Sequence, residues 1–355
     1  MVSGAPVRVA LLGCGRIAHV HAGYLRSTPG VELVGACDSD PQAREAFTKR
    51  WGVPTCAALR EMQAALEPQV VHVLTPPATH APLAMELMQQ GMDVLVEKPM
   101  ATSLAEADAM IAVARQTGRV LSVDHNRWFD PVVSRARHAL ESGLLGELVG
   151  VEVFASFGEG EVGGQQPWKP TLPGGPIFDT LPHPAYLVYG FVGRPRKIST
   201  FHELDNGGAI TDLRAVIQGE RAAGSLTMSA RVRPSANTVT LLGTKQVALI
   251  NLNNMTLVFR RSWTLPKPLA KVVPNLDEAR QLIGATVRNT LEFLAGRQRY
   301  YPGIGAHLKA FYAAYRQGLP PPVSAEDGKV VVGLMEQLLA RSQEQRRACS
   351  EEALA

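Results

Sequence analysis

The chain has no apolar run near the roughly 18 residues that a membrane-spanning helix needs, and its N-terminus has neither a basic segment nor a cleavage-type signal. These absences predict a cytoplasmic chain without a membrane partner. Four cysteines, Cys14, Cys37, Cys56 and Cys349, show no CxxC or other metal-ligand spacing, so reduced thiols and no metal centre are expected. Charge is also sparse. Only 19% of residues are charged, and the net +4 is scattered along the chain, which argues against the clustered basic face of a nucleic-acid-binding protein. Repeats and low-complexity tracts are missing as well.

What is present is ordinary globular composition, with 46% hydrophobic residues over 355 positions, enough for two domains. The first third alternates short apolar runs (Val7–Leu12, Val31–Cys37, Val70–Leu74, Val94–Val96, Val120–Val123) with helix-like stretches. That alternation predicts a parallel sheet covered on both faces. After Asp124 the pattern changes to closely spaced β segments from Leu148 to Arg260, followed by helices. Val149, Val151 and Val153 alternate as one face of a strand, so an antiparallel sheet with one covered face is expected. The predicted fold class is α/β: an N-terminal doubly wound Rossmann domain over 1–125, and a C-terminal domain over 126–355 with an open, mostly antiparallel sheet.

Gly13-Cys-Gly15-Arg16-Ile17-Ala18 follows the first strand and opens the first helix, matching GxGxxG/A. In such a turn the glycines allow a tight bend and a close approach of pyrophosphate, and the helix N-terminus faces its negative charge. Asp38 ends the second strand, where a carboxylate can accept from ribose hydroxyls and would repel a ribose phosphate. NAD is therefore expected ahead of NADP, although Arg44 is near enough in sequence to compensate that repulsion. Thr75, Pro76 and His80 leave the end of another strand, and Thr75 and Pro76 suit contacts to ribose and nicotinamide. His80 reads as the start of a helix rather than as a catalyst.

Glu97-Lys98-Pro99 ends a further strand on the same rim. Lys98 there is either a cation that polarises a substrate oxygen or a surface lysine neutralising Glu97. Gly174-Gly-Pro-Ile-Phe-Asp179-Thr-Leu-Pro-His183 follows the Gly/Pro-rich loop 158–175, which carries Trp168 and Lys169. Asp179 and His183 are four apart, spaced to meet on a helix as a general acid/base pair or as a structural one. Pro182 and Pro184 put regular helix in question there.

These motifs, with DHNRWFDP (Asp124–Pro131) and PPPVSAEDG (Pro320–Gly328), resemble the glucose–fructose oxidoreductase/inositol dehydrogenase (Gfo/Idh/MocA) family over nearly the whole chain. EKP at this spacing after TPPATH is the specific part. The resemblance implies Lys98, Asp179 and His183 as catalytic and substrate-contacting residues; in the loop 158–175, Trp168 can stack on a sugar face and Lys169 can meet an acid or phosphate, or the two serve as loop anchor and solvated surface. It places Gly13, Gly15, Arg16, Ile17, Asp38, Thr75, Pro76, His80, Glu97, Lys98 and Asn126 around the dinucleotide. The implied reaction is hydride transfer between NAD(P) and a secondary alcohol or ketone of a sugar, cyclitol or sugar nucleotide. A hydrolase or lyase that retains its NAD would use the same residues; a non-catalytic dinucleotide-binding protein is a third reading, against which the presence of Lys98, Asp179 and His183 together argues. Association as a homodimer or homotetramer through the C-terminal sheet is also implied. One departure is that Tyr186 stands where the family often has an aspartate three residues after the histidine.

Overall fold

A computed structural model describes residues 5–156, 172–173, 177–205, 209–296 and 301–340. Trp168, Lys169 and Cys349 lie outside the described residues. The chain divides into two compact units, residues up to 129 together with 303–333, and residues 130–302 together with those from 334 onward.

The first unit carries six parallel strands, β1 (Val7–Leu12), β2 (Val31–Cys37), β3 (Thr55–Cys56), β4 (Val70–Val73), β5 (Asp93–Val96) and β6 (Leu121–Val123). Their order, β3-β2-β1-β4-β5-β6, reverses between β1 and β4, which is the doubly wound arrangement predicted by the strand–helix alternation. Central β4 and β5 are buried throughout, as a sheet covered on both faces requires. Local chemistry sets the helix limits. For Pro41–Trp51, Asp40 caps the start by accepting from the Gln42 N–H at 2.9 Å and Gly52 ends the helix at φ +66°. For Leu104–Thr117, Ser103 caps the start and Gly118 ends the helix at φ +66°. The two-residue β3 and the eight-residue helix Leu59–Leu66 stand outside the sequence expectations because both are short.

Two stretches that a single cut after residue 125 would assign to the second domain, 126–129 and 303–333, belong to this first unit. The reason is packing. The Ser122 hydroxyl donates to the Val323 carbonyl at 2.7 Å, and Val323, Ala325 and Val332 join the same apolar core as Val71, Val94 and Met110.

The second unit is built on β7 (Leu148–Ser156), β8 (Pro195–Leu204), β9 (Ile210–Gly219), β10 (Ala223–Ser229), β11 (Asn237–Gly243), β12 (Gln246–Asn251) and β13 (Thr256–Arg261). Their order is β13-β12-β11-β7-β10-β9-β8. All pairings are antiparallel except that of β7 with β10, so the sheet is mixed and mostly antiparallel, as expected. The helix Pro182–Val192 covers one face, with Val188 and Val192 packed on Gly224.

Val149 departs from its predicted place. It is 60% exposed while Val151 and Val153 are buried. Leu242 pairs with Gly150 and the next residue, Gly243, pairs with Leu148, so the register steps over Val149. Such a bulge breaks the two-residue alternation on which the expectation rested.

Candidate active site

In a parallel sheet, every strand ends on the same edge. The glycine turn after β1, Asp38 after β2, Thr75 after β4, Glu97 and Lys98 after β5, and Asn126 after β6 therefore share one rim of the first unit.

Gly13 has φ +104°, and a Cβ there would come within 2.8 Å of the Leu74 carbonyl oxygen. Only glycine can make this turn against the end of β4. Gly15 is the N-cap of the helix Arg16–Leu25 and is followed by exposed Arg16 and half-buried Ile17; no side chain caps that helix start. Nothing lies within 4 Å of where a Gly15 Cβ would stand, so the space in front of the amides is open. Ala18 is fully buried where helix meets strand. This is the geometry of an anion cradle.

Asp38 braces the cradle. One carboxylate oxygen accepts from the Cys14 N–H at 2.7 Å and the other from the Asp40 N–H at 2.9 Å. Each oxygen keeps a second lone-pair direction, sufficient for a ribose hydroxyl. Arg44 donates to the Asp38 and Ser39 carbonyl oxygens at 2.7 and 3.0 Å, so its guanidinium is committed to backbone carbonyls at the end of β2. The Cys14 thiol beneath is pushed up to about 12 by burial and then by the Asp38 charge. It remains a neutral thiol.

His80 is 1% exposed, and its Nδ1 and Nε2 each lie 2.8 Å from a carbonyl, those of Pro99 and Thr75 respectively. Burial holds it below the usual histidine range. His80 thus sits between the Thr75 turn and the Lys98–Pro99 turn, its neutral ring donating to one of the two carbonyls and lying against the other. Thr75 and Pro76 are half-buried, and the Thr79 hydroxyl lies 2.7 Å from Thr75 Oγ1. Glu97 is 7% exposed, Lys98 half-buried and Asn126 8% exposed.

Behind this rim lies a buried polar network that the motifs do not announce. Tyr312 Oη is 2.7 Å from His72 Nε2, and His72 Nδ1 is 2.9 Å from His21 Nδ1. His21 Nε2 faces Asp124 Oδ2 at 3.3 Å, and His307 Nδ1 meets Asp124 Oδ1 at 2.6 Å. With Asp124 ionised, one set of tautomers supplies a proton from Tyr312 to His72, from His72 to His21 and from His307 to Asp124, while His21 Nε2 and Asp124 Oδ2 face each other as an ion-pair contact without hydrogen-bond geometry. Burial pushes the Asp124 carboxyl upward, but the adjacent His21 and the hydrogen-bonded His307 outweigh it, and the group lies well below the usual carboxylate range. His21, Glu97 and Asp124 also place a nitrogen and two carboxylate oxygens within 4.8 Å of one another, the grouping of metal-type donors found among the described residues. A histidine inside the apolar run Val70–Val73 was the available sequence signal, since a polar side chain in a buried strand must find partners. Its partners at 307 and 312 are too distant in sequence to infer.

In the second unit, Asp179 is half-buried in the short helix Ile177–Thr180, and His183 is half-buried in the helix Pro182–Val192. Both prolines are accommodated because they occupy the first turn, whose N–H groups have no intrahelical acceptor. Tyr186, one turn on, sets its hydroxyl 2.8 Å from His183 Nδ1, with the rings edge-on at 5.7 Å. The tyrosine in the position of the usual aspartate thus fixes the imidazole. A cavity of about 520 Å³ in this unit, lined by Arg135, His138, Arg280 and Arg288 among others, includes none of the residues singled out from sequence.

Residues 7–125 match the model of an oxidoreductase family with an NAD-binding Rossmann fold, and residues 133–248 match the GFO/IDH/MocA C-terminal domain. The chain is 31% identical over 205 residues to D-glucoside 3-dehydrogenase of Escherichia coli, covering 54% of this chain and 56% of that protein. It is 33% identical over 142 residues to inositol 2-dehydrogenase of Rhizobium meliloti, covering 40% and 43%. The chain thus spans about half the length of the curated relatives it matches. Among solved structures, the WlbA dehydrogenase of Bordetella pertussis in complex with NADH and UDP-GlcNAcA superposes with a TM-score of 0.78 at 22% identity, covering 95% of this chain and 96% of that one. UDP-N-acetylglucosamine 3-dehydrogenase GnnA of Acidithiobacillus ferrooxidans gives 0.73 at 18%, covering 94% and 97%. At these identities the superpositions establish the fold.

Proposed function

The chain belongs to the GFO/IDH/MocA oxidoreductase family, and from that membership we propose that it is an NAD-dependent dehydrogenase acting on a secondary alcohol or ketone of a sugar, cyclitol or sugar nucleotide. The observation that carries this reading is the shared rim of the first unit, where a glycine cradle braced by Asp38 and the Lys98 turn end strands of one sheet. The cradle fits a dinucleotide: Gly13 admits no Cβ, the helix start has no side-chain cap, and Asp38 has acceptor capacity left.

Bound NAD supplies the hydride acceptor. The protein's share of the work is positioning and proton transfer. The backbone at Gly13–Ile17 holds pyrophosphate, Asp38 accepts from the adenosine ribose, and Thr75, Pro76 and Asn126 line the nicotinamide half. Glu97 sets the turn that carries Lys98. The Lys98 ammonium orients the reacting oxygen and stabilises charge that develops on it. His183, with Nδ1 engaged by Tyr186, takes the hydroxyl proton at Nε2, and Asp179 orients the substrate. Trp168 and Lys169 are proposed to meet the sugar and any acidic substituent. Association through the uncovered face of the seven-stranded sheet, where Val216 and Phe201 are exposed, belongs to the same proposal.

The test is NAD reduction across a panel of sugars, inositols, glucosides and nucleotide sugars. Turnover with at least one is expected. No turnover under conditions where NAD binds would remove the dehydrogenase reading.

Cofactor preference gives a second test. Asp38→Ser should raise kcat/KM for NADP relative to NAD at least about tenfold, because a like-charge pair in a binding site costs several kcal/mol. The serine hydroxyl can still accept from the Cys14 N–H, which limits the structural loss. An unchanged NADP/NAD ratio in a folded variant would show that Asp38 does not face the ribose.

A further inference from the structure

The helix Val273–Leu294 is built inside out. Its polar side faces its own sheet: Gln281 accepts from the Phe259 N–H and donates to the Phe259 carbonyl, both at 2.9 Å, standing in for the missing neighbour of edge strand β13. Asn289 donates to the Asn254 and Met255 carbonyls at 3.0 Å, and Glu278 accepts from Arg260 at 3.0 Å. The single buried residue of the helix is Ala285. At 3.6 residues per turn, Leu276, Ala279, Ile283, Val287, Leu291 and Leu294 fall within about a third of the circumference, centred on the side opposite Ala285. That side faces water, with Leu276 64%, Ile283 65%, Val287 53%, Leu291 61% and Leu294 73% exposed. A surface helix normally buries its apolar stripe and presents its polar one, so this stripe is half of an interface.

The spacing identifies the other half. From Leu276 to Leu294 the exposed stripe residues are separated by 3, 4, 4, 4 and 3 positions, a series that reads the same from either end; half-buried Val273 precedes it at the edge of the arc, and exposed Leu282 and Phe293 flank it. A twofold contact requires that residue i meets j while j meets i, and an antiparallel pair centred on position 285 satisfies this. Leu276 meets the partner's Leu294, Ala279 the partner's Leu291, and Ile283 the partner's Val287. Charge permits the pairing. Arg280 is the one charged residue within the arc of the stripe, and it falls opposite the partner's Thr290. The two Arg280 side chains would stand about 15 Å apart along the axis at 1.5 Å per residue, beyond the ~8 Å screening length. Exposed Val272 and Leu269, at 50% and 49%, extend the apolar surface just before the helix.

We propose that Val273–Leu294 is a homotypic docking surface on which a second copy of this chain packs antiparallel about a twofold axis. The contact is separate from the uncovered sheet face and from the dehydrogenase reading, so either can fail without the other.

Sedimentation velocity of the full chain tests it. The wild type should sediment as a dimer or higher even-numbered assembly, and the double variant Ile283→Asp/Val287→Asp should show half that mass. Both residues are exposed, so circular dichroism should not change. A chain carrying Ile283→Cys and Val287→Cys should cross-link to a covalent dimer on mild oxidation, above the background from the wild-type thiols, because antiparallel pairing sets each against the other in the partner. Val216→Asp on the sheet face should leave that cross-link intact. A monomeric wild type, an Asp variant of unchanged mass, or a dimer that yields no cross-link would each overturn the proposal.

Discussion

Lys98→Ala and His183→Ala should each lower kcat by roughly 10²- to 10⁴-fold, the range a positioned acid or base contributes, with the folded structure retained. Both side chains are half-buried rather than core, so truncation leaves no large internal cavity. The two losses should differ in kind. Removing Lys98 takes away a fixed positive charge from the turn that lies against His80, and Lys98→Arg should recover little because a planar fork replaces a compact ammonium. Removing His183 takes away the proposed proton acceptor, so the pH dependence of kcat should flatten as well as fall. Tyr186→Phe separates positioning from proton transfer. It deletes the hydroxyl on Nδ1 and should reduce kcat less than His183→Ala while keeping a sloping pH profile. Full kcat in both alanine variants, with native melting curves, would discard the roles assigned to Lys98 and His183.

Stability of the first unit should fall steeply on acidification below about pH 6.5. Burial, reinforced by His21, holds His72 well below the usual histidine range; burial likewise holds His80 down, and burial together with His307 lowers His125 to about 3. In the unfolded chain these side chains bind protons near pH 6.5. Between that value and their folded values, the unfolded state carries more protons and stability drops with falling pH. His72 and His125 each contribute up to about 1.4 kcal/mol per pH unit, so the two together approach roughly 3 kcal/mol per unit, and His80 acts in the same direction. Asp124 has the opposite character. Its contribution is complete above the ordinary aspartate value near 3.9 and disappears only as pH falls toward its much lower folded value. Asp124→Asn should therefore destabilise the unit even at pH 7, by about 3–5 kcal/mol, as expected when one partner of a buried ionic network is removed. Thermal melts from pH 7.5 to 5.5 test both statements. A melting temperature that does not change across that range, or that Asp124→Asn leaves unchanged, would contradict the network as described.

The architecture was legible where a local rule governs it. Strand–helix alternation predicts the parallel sheet, and the glycine turn predicts its own left-handed residue. The TPPATH and EKP segments fall at strand ends on one rim, as read from their positions. What the sequence withheld depends on distant contacts. Residues 303–333 complete the first unit because Tyr312 and His307 reach His72 and Asp124, which local periodicity cannot encode. His80 starts a helix as its position suggests, but its contact with the Pro99 carbonyl, nineteen positions away, is of the same distant kind. Val149 turned outward because of a one-residue bulge. The inverted polarity of Val273–Leu294 cannot be read from the sequence at all, because periodicity shows that a helix has two sides without showing which side its neighbours occupy.

Tyr186 has one more bearing on His183. A carboxylate only accepts, so it would hold the proton on Nδ1 and leave the distal nitrogen ready to take one. A phenol both gives and accepts. When its oxygen accepts, the ring is poised to remove a proton from an alcohol; when its hydrogen swings toward Nδ1, the neutral ring carries its proton on the distal nitrogen, ready to hand it to a carbonyl. The same 2.8 Å contact is compatible with either tautomer, the O–H turning to follow once the ring has lost its proton at one nitrogen and gained one at the other by exchange with substrate or solvent, so under the role proposed for His183 the contact would suit both directions of turnover.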